Sequence, residues 1–423
     1  MQRRNKNKRL FSLEAKYCSW GDTVHYSREP KIFSSCSGSF LFDDEGRRYL
    51  DLQMWYSAAS FGYKNTEINS ALKRQLDTLP QLACQYLHKE KIELASKLAV
   101  HNEESFGVKG RVHFNIGGAS AVEDSLKLIR NATGRNKVFA FMGSYHGRTI
   151  TASSITSSFR YRSRFGHFSD RAFFVPYPYC FRCFYGKKIK DCKFYCVSQF
   201  EKLFETEYYG VYDSKSARSE YVAFYIEPVQ GTGGYIIPPK GYFPELKKVL
   251  DRYHLFLVDD EIQMGFFRTG KFWAIEHFSV KPDIIVFGKA LTNGLNALSG
   301  VWARLELISP AVFPAGSTHA TFSLNSLCTA AGLKVLEIIE KSDFARSIPQ
   351  KGKYMMRRFK ELQKKYVQIG NVDGLGLAIN VEMCKRDGFT PDRELTHRMV
   401  EAGLKGDLKN GKEKMGLILD VGG

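Results

Sequence analysis

The sequence contains no apolar run near the roughly 18 residues that a membrane-crossing helix needs. Its apolar runs, such as those at 255–258 and 284–287, have the length of buried strands. There is no internal repeat and no low-complexity block. A composition of 43% hydrophobic and 25% charged residues rules out a mostly disordered chain. Acidic residues are short relative to basic ones: 44 Asp and Glu stand against 62 Lys and Arg, a formal charge of +18. That excess attracts acidic partners but says little about fold. Five of the basic residues open the chain (Arg3, Arg4, Lys6, Lys8, Arg9). No apolar segment follows them, so they do not read as a secretory signal, and Glu14 comes too early for a typical transit peptide. A solvated basic tail is the plain expectation, with an arm touching RNA or membrane as the alternative. An odd cysteine count of nine, in a chain of this length, points to a reducing cytoplasm.

At 423 residues the chain allows two or three domains, or one large enzyme. Short runs rich in Val, Ile and Phe alternate with helical patterns. Strands are expected at 112–115, 138–142, 222–226, 255–258 and 284–287, and helices across 67–100, 324–339 and 344–366. A strand pair is expected around 375–381. Strands separated by helices imply a largely parallel sheet, in which ligands bind at the carboxyl ends of the strands. The tract 153–179 shows no clear period, and 205–220 reads as an exposed polar connection.

The residues after each strand therefore matter most. The first strand runs into Gly117-Gly118-Ala119-Ser120, a glycine turn before a helix, where backbone N–H groups and the helix dipole attract anions. Ser120 and Glu123 have the spacing of a capping box, and Val122, Leu126 and Ile129 form the buried stripe. The second strand ends near Tyr145, a ring able to stack on a flat ligand. The third ends at Glu227-Pro228, before the glycine-rich segment 231–234. The fourth ends in Asp259-Asp260-Glu261, three adjacent carboxylates of which at least one should need a cationic partner. The fifth ends in Gly288-Lys289. Taken singly, these are equally well a tight turn, a rim tyrosine, a surface glutamate and a snorkelling lysine. Taken together they place an anion cradle, a stacking ring, a carboxylate and an amine in one cleft. Pyridoxal phosphate needs that set: donors for its phosphate, a ring partner, an acid for its pyridine nitrogen and a lysine for its aldehyde.

The stretch 257–270, continued through Pro282-Asp283-Ile284 to Gly288-Lys289-Ala290-Leu291, resembles the signature of class III pyridoxal-phosphate aminotransferases. The glycine turn, the segment 144–149, the segment 227–234 and His319-Ala320-Thr321-Phe322 follow in that family's order, and the resemblance runs from about Phe42 onward. It implies a fold-type I α/β enzyme: a large domain with a mostly parallel sheet, and a smaller α/β domain built from both chain ends. The division expected is 1–65, 66–316 and 317–423, the last shorter than usual. It implies that Lys289 condenses with the cofactor aldehyde and shuttles protons. Asp260 would hold the ring nitrogen protonated, and Gln263 would sit near the phenolic oxygen. Gly118 and Ala119 would meet the phosphate, and Tyr145 would stack on the ring. Thr321 would reach the phosphate of a neighbouring subunit, which implies a homodimer. Glu227 and Trp55 would line the substrate side. The implied reaction is ping-pong transfer of nitrogen from a small amine or ω-amino acid to a 2-oxo acid.

Racemisation, epimerisation or decarboxylation on the same scaffold is the first alternative. A non-catalytic basic binding protein is the second, motivated by the charge and the Arg-aromatic tract 159–165; nucleic acid is not the expected partner. The family usually carries Ser where Gly117 stands, Glu where Thr232 stands, and in many members Arg where Asp373 stands. It also normally continues beyond Gly423 with a strand and a helix.

Four cysteines cluster as Cys180-x2-Cys183-x8-Cys192-x3-Cys196. Their spacing suits zinc, an iron–sulfur cluster, or free or disulfide-forming thiols. No metal is assigned to them on sequence grounds.

Overall fold

The computed structural model describes residues 2–422 except 23, 24, 29, 164, 166–171, 209 and 342, and the side chains of 2–6 and 410 are not described. Seven strands form the central sheet: β1 (Gly110–Asn115), β2 (Lys137–Phe141), β3 (Ala172–Val175), β4 (Tyr221–Ile226), β5 (Phe256–Asp260), β6 (Ile284–Phe287) and β7 (Ser299–Arg304). Their spatial order is β1-β7-β6-β5-β4-β2-β3. The strands β2 to β6 pair in parallel, and β7 runs antiparallel to both β6 and β1. Six strands thus share one direction, and their carboxyl ends make one edge.

The sequence pattern explains these elements. β4 (YVAFYI) and β6 (IIVF) are buried at every position, as expected for strands covered on both faces. One core, including Phe139, Phe224, Phe243 and Trp273, lies under one face of the sheet; a second, including Val122, Ile129, Val258 and Val286, lies under the other. Helix Gly118–Thr133 carries Val122 and Ile129, and its Gly134 turns in the left-handed region (φ 70°), where glycine is unstrained.

Two strands of the central sheet escaped the sequence pattern. β3 lies inside the aperiodic tract 153–179 as an edge strand of four residues, too short to show a period. β7 follows the lysine segment and carries buried Trp302. The polar connection at 205–220 folds a small hairpin, Tyr212–Asp213 with Arg218–Ser219. The basic tail is not extended: Gln2–Tyr17 is helical, and Arg3, Arg4 and Lys6 have side chains outside the described residues.

The smaller unit joins both ends of the chain. Arg48–Asp51 pairs in parallel with Glu413–Ile418, in a five-stranded sheet with Phe33–Ser37, Phe40–Asp43 and Leu408–Asn410. Ile369–Leu375 and Ala378–Met383 form the expected hairpin. Helix Ser326–Lys341 packs on Thr66–Thr78, Lys89–Phe106 and the turn Lys289–Thr292. Among the described residues no helix is long and apolar enough to cross a membrane.

Candidate active site

Strand register brings the key groups together. Asp260 lies opposite Val286 across the β5–β6 pair, and the Glu261 N–H donates to the Val286 carbonyl at 2.8 Å. Lys289 begins a short 3-10 turn, with φ 41° in the left-handed region. A lysine held there is strained, and such strain persists only where the surroundings fix it. Asn293, at the end of the same turn, accepts from the Phe61 N–H at 2.9 Å and donates to the Gly62 carbonyl at 2.8 Å. It fastens the segment before it, where Met54, Trp55, Tyr56 and Ser57 are all left-handed. Trp55 lies over Gly294, where a β-carbon would come within 2.9 Å of the indole. Trp55 as a whole is 56% exposed.

The Lys289 side chain keeps partial solvent access, yet its amine sits deep among protein atoms. Desolvation brings its pKa down to about 8, opposed by the carboxylates of Asp260, Glu227 and Asp420. An amine so tuned reaches its neutral, nucleophilic form near neutral pH.

Asp260 is buried and doubly held. Oδ1 accepts from the Ile262 N–H at 3.1 Å, and Oδ2 lies 2.7 Å from His146 Nδ1. Burial opposes the charged form of His146, but contact with the Asp260 carboxylate prevails and raises its pKa. The other ring nitrogen, Nε2, is buried without a partner.

Glu227 is buried too. Its Oε1 accepts from the Tyr145 N–H and its Oε2 from the Gly231 N–H, each at 2.9 Å. It thereby ties the loop after β2 to the loop after β4. Burial raises its pKa, while nearby His146 counters. A β-carbon at residue 231 would strike the amide end of Gln263, so a larger residue there would displace that side chain. Gln263 Nε2 donates to the Tyr235 hydroxyl at 2.8 Å, and that hydroxyl donates to Asp420 at 3.1 Å. Tyr145 meets Tyr161 edge-on at 5.1 Å, and Arg148 lies 4.5 Å over Tyr161. The Arg-aromatic tract thus closes against the site, with Arg164 outside the described residues.

One expectation needs correction. The capping box does not form, because the helix starts at Gly118 with Gly117 as its cap and no side-chain bond. Ser120 is therefore inside the helix. Glu123 instead accepts from Thr149 Oγ1 (2.6 Å) and from the N–H groups of Thr151 and Ala152, capping the next helix. Of the three carboxylates, Asp260 takes the cationic partner that was expected for at least one of them, His146. Asp259 and Glu261 point to the opposite side of the strand, fully buried, with no cationic partner among the described residues. Desolvation and mutual repulsion push Asp259 well up, and burial raises Glu261 to about 8. Protonation, not a cation, neutralises that pair.

Thr321 is exposed and takes no part in this chain's own site. His146, Tyr235 and Asp420 are the participants that sequence reasoning missed. His146 was in plain view beside Tyr145, but only the structure shows its side chain turned to Asp260. Asp420 reaches the site because strand Glu413–Ile418 pairs next to Asp51.

The residues present fit pyridoxal phosphate. The helix at Gly118 has no side-chain cap, and a β-carbon at Gly117 would meet open space, leaving its first amides available to an anion. The Asp260–His146 pair supplies an anion for a protonated ring nitrogen, and Lys289 supplies the amine. A class-III aminotransferase profile matches residues 25–412. The chain belongs to the class-III aminotransferase family. Aminotransfer with pyridoxal phosphate is this family's chemistry, and the chain is an enzyme of that kind. An alanine/serine racemase of Pyrococcus horikoshii is 35% identical over 404 residues, covering 94% of this chain and 82% of that protein. A probable 4-aminobutyrate aminotransferase of Bacillus subtilis is 33% identical over 360 residues, covering 84% and 79%. A solved Bacillus anthracis aminotransferase superposes with a TM-score of 0.83 at 25% identity, covering 98% and 90%. Fold and family agree with the fold-type I, class III expectation.

Proposed function

We infer that this class-III aminotransferase takes nitrogen from a small amine or ω-amino acid and passes it to a 2-oxo acid, in ping-pong order. The observation that carries the reading is the buried Lys289 amine, poised near pH 8 beside Asp260. When bound, pyridoxal phosphate supplies the electron sink and holds the nitrogen between the two half-reactions. Lys289 Nζ would take the proton from the amine-bearing carbon of the donor and hold it for return during the transfer. Asp260, with His146 behind it, holds a negative charge toward the ring nitrogen. Gly118 and Ala119 offer amides to the phosphate, Tyr145 its ring face, and Gln263 its amide toward the phenolic oxygen. Glu227 contributes by fixing the loops that carry Tyr145 and Gly231, and by its charge near Lys289. Trp55 walls the donor side and excludes water from it.

Thr321, exposed beside exposed Phe322, is assigned to the phosphate of a second subunit, so the working assembly is a homodimer with sites at its interface. Nine free cysteines favour the cytoplasm. The working division is 1–65, 66–316 and 317–423, with helix Ser326–Lys341 as the connection lying on the large domain.

The test is a panel of amines, ω-amino acids and α-amino acids without acceptor, scored by loss of the bound cofactor's visible absorbance. Conversion to the pyridoxamine form by amines or ω-amino acids supports the reading. The second reading, amino-acid racemisation, is favoured by the Pyrococcus relative. Inversion of L-alanine or L-serine without cofactor conversion would establish it instead.

A further inference from the structure

The cysteine group is the feature that aminotransfer leaves unused. β3 ends at Val175 and the next helix, Tyr195–Glu201, begins 20 positions on; residues 176–194 between them form no helix or strand. Loops beyond about 12–15 residues without secondary structure are uncommon in compact proteins and need something to hold them. No disulfide does so, since Cys180, Cys183, Cys192 and Cys196 are all free. The loop nonetheless sustains two consecutive non-glycine residues in the left-handed region, Lys193 (φ 44°) and Phe194 (φ 56°), directly before the helix that carries Cys196. Such strain requires a surround that fixes it.

All four cysteines line one cavity of about 30 Å³, walled otherwise mainly by aromatic rings including Tyr177, Tyr185 and Tyr195. That volume holds one ion- or water-sized occupant. A water needs two to four polar partners, which sulfur and aromatic carbon supply poorly. Thiolates are instead the preferred ligands of a borderline-soft metal ion. The charge around the group is also suited. Lys187 lines the cavity, and Lys188, Lys190 and Lys193 lie on the same loop, so cations offset the two negative charges of a divalent ion with four thiolates. Among the described residues no three of these thiols stand at metal-ligand spacing, so closure needs the side chains to turn inward.

We propose that Cys180, Cys183, Cys192 and Cys196 form a structural four-thiolate site for one divalent ion of the zinc type. Four thiols release four protons to solvent as four metal–sulfur bonds form, with no change of oxidation state. The ion clamps a loop that braces the active site from behind. Tyr177 on this loop donates to the carbonyls of Glu227 and Pro228, each at 3.1 Å. Tyr179 and Arg182 both bond Glu382 on the hairpin of the smaller unit. Cys180 touches both the ion cavity and the pocket that contains Tyr235.

The holoenzyme, purified without a metal-binding tag, is analysed for metals and for reactive thiols before and after a zinc chelator. One zinc per chain is expected, with four thiols becoming reactive together as it leaves. Cys183→Ser and Cys192→Ser should each lose the zinc and lower the melting temperature, while Cys36→Ser keeps both. Absence of metal, whether with free thiols or with disulfides seen by non-reducing mass spectrometry, overturns the proposal. So does iron with inorganic sulfide, or zinc that persists in both variants. If the serine variants do not fold, chelation of the unaltered protein decides.

Discussion

The two sides of β5 carry the same kind of group and treat it in opposite ways. On the cleft side, Asp260 is buried against His146 and near Lys289, and its charge is matched. On the far side, Asp259 and Glu261 are fully buried with no cation beside them among the described residues, and desolvation drives them toward the neutral acid. One residue of offset along a strand turns a side chain to the other face. Burial alone therefore does not decide what a carboxyl becomes; the partner supplied on its face does.

The largest break in this contrast comes from Lys289→Ala. Turnover should fall on the order of 10⁴-fold, because both the covalent anchor and the proton carrier are lost. Single-turnover kinetics with a reactive donor measure it. Asp260→Asn should cost about 10²–10³-fold in kcat by removing the charge aimed at the ring nitrogen. His146→Asn should cost less and shift the kcat pH profile, since His146 acts through Asp260.

The far side predicts a stability effect instead. Glu261 in the folded chain holds its proton up to about pH 8, against an ordinary 4.5. The folded state then binds the extra proton between those values, so its contribution to stability is full below 4.5 and is lost as pH rises toward 8. Glu261→Gln removes that slope and should be more stable than the parent at pH 8 by on the order of 2 kcal/mol, while losing its advantage at pH 5. Urea unfolding at the two pH values checks this, and the slope from His146 cancels between parent and variant. Trp55→Ala should be the mildest change, altering donor KM about tenfold with little effect on kcat for small donors.

Much of this contrast was legible in sequence, but unevenly. Buried parallel strands such as Ile284–Phe287 announce themselves as short apolar runs, and the groups at their carboxyl ends follow from topology. β3 did not, because four residues on an edge carry no period, and β7 did not, because Gly300 and Arg304 leave it only a short apolar run. Asp260 was identified from the family signature, while the facing of Asp259 and Glu261 depends on strand register. His146 and Asp420 stayed hidden for a related reason. Their roles depend on which way a loop side chain turns and which distant strand lies alongside, and neither leaves a local signal.

The most direct test is chemical. Borohydride reduction of the holoenzyme, followed by proteolysis and mass spectrometry, fixes the cofactor to whichever amine holds it. The account predicts the label on the peptide containing Lys289, with none in Lys289→Ala. A label on another lysine, or a cofactor that leaves unreduced, would contradict it.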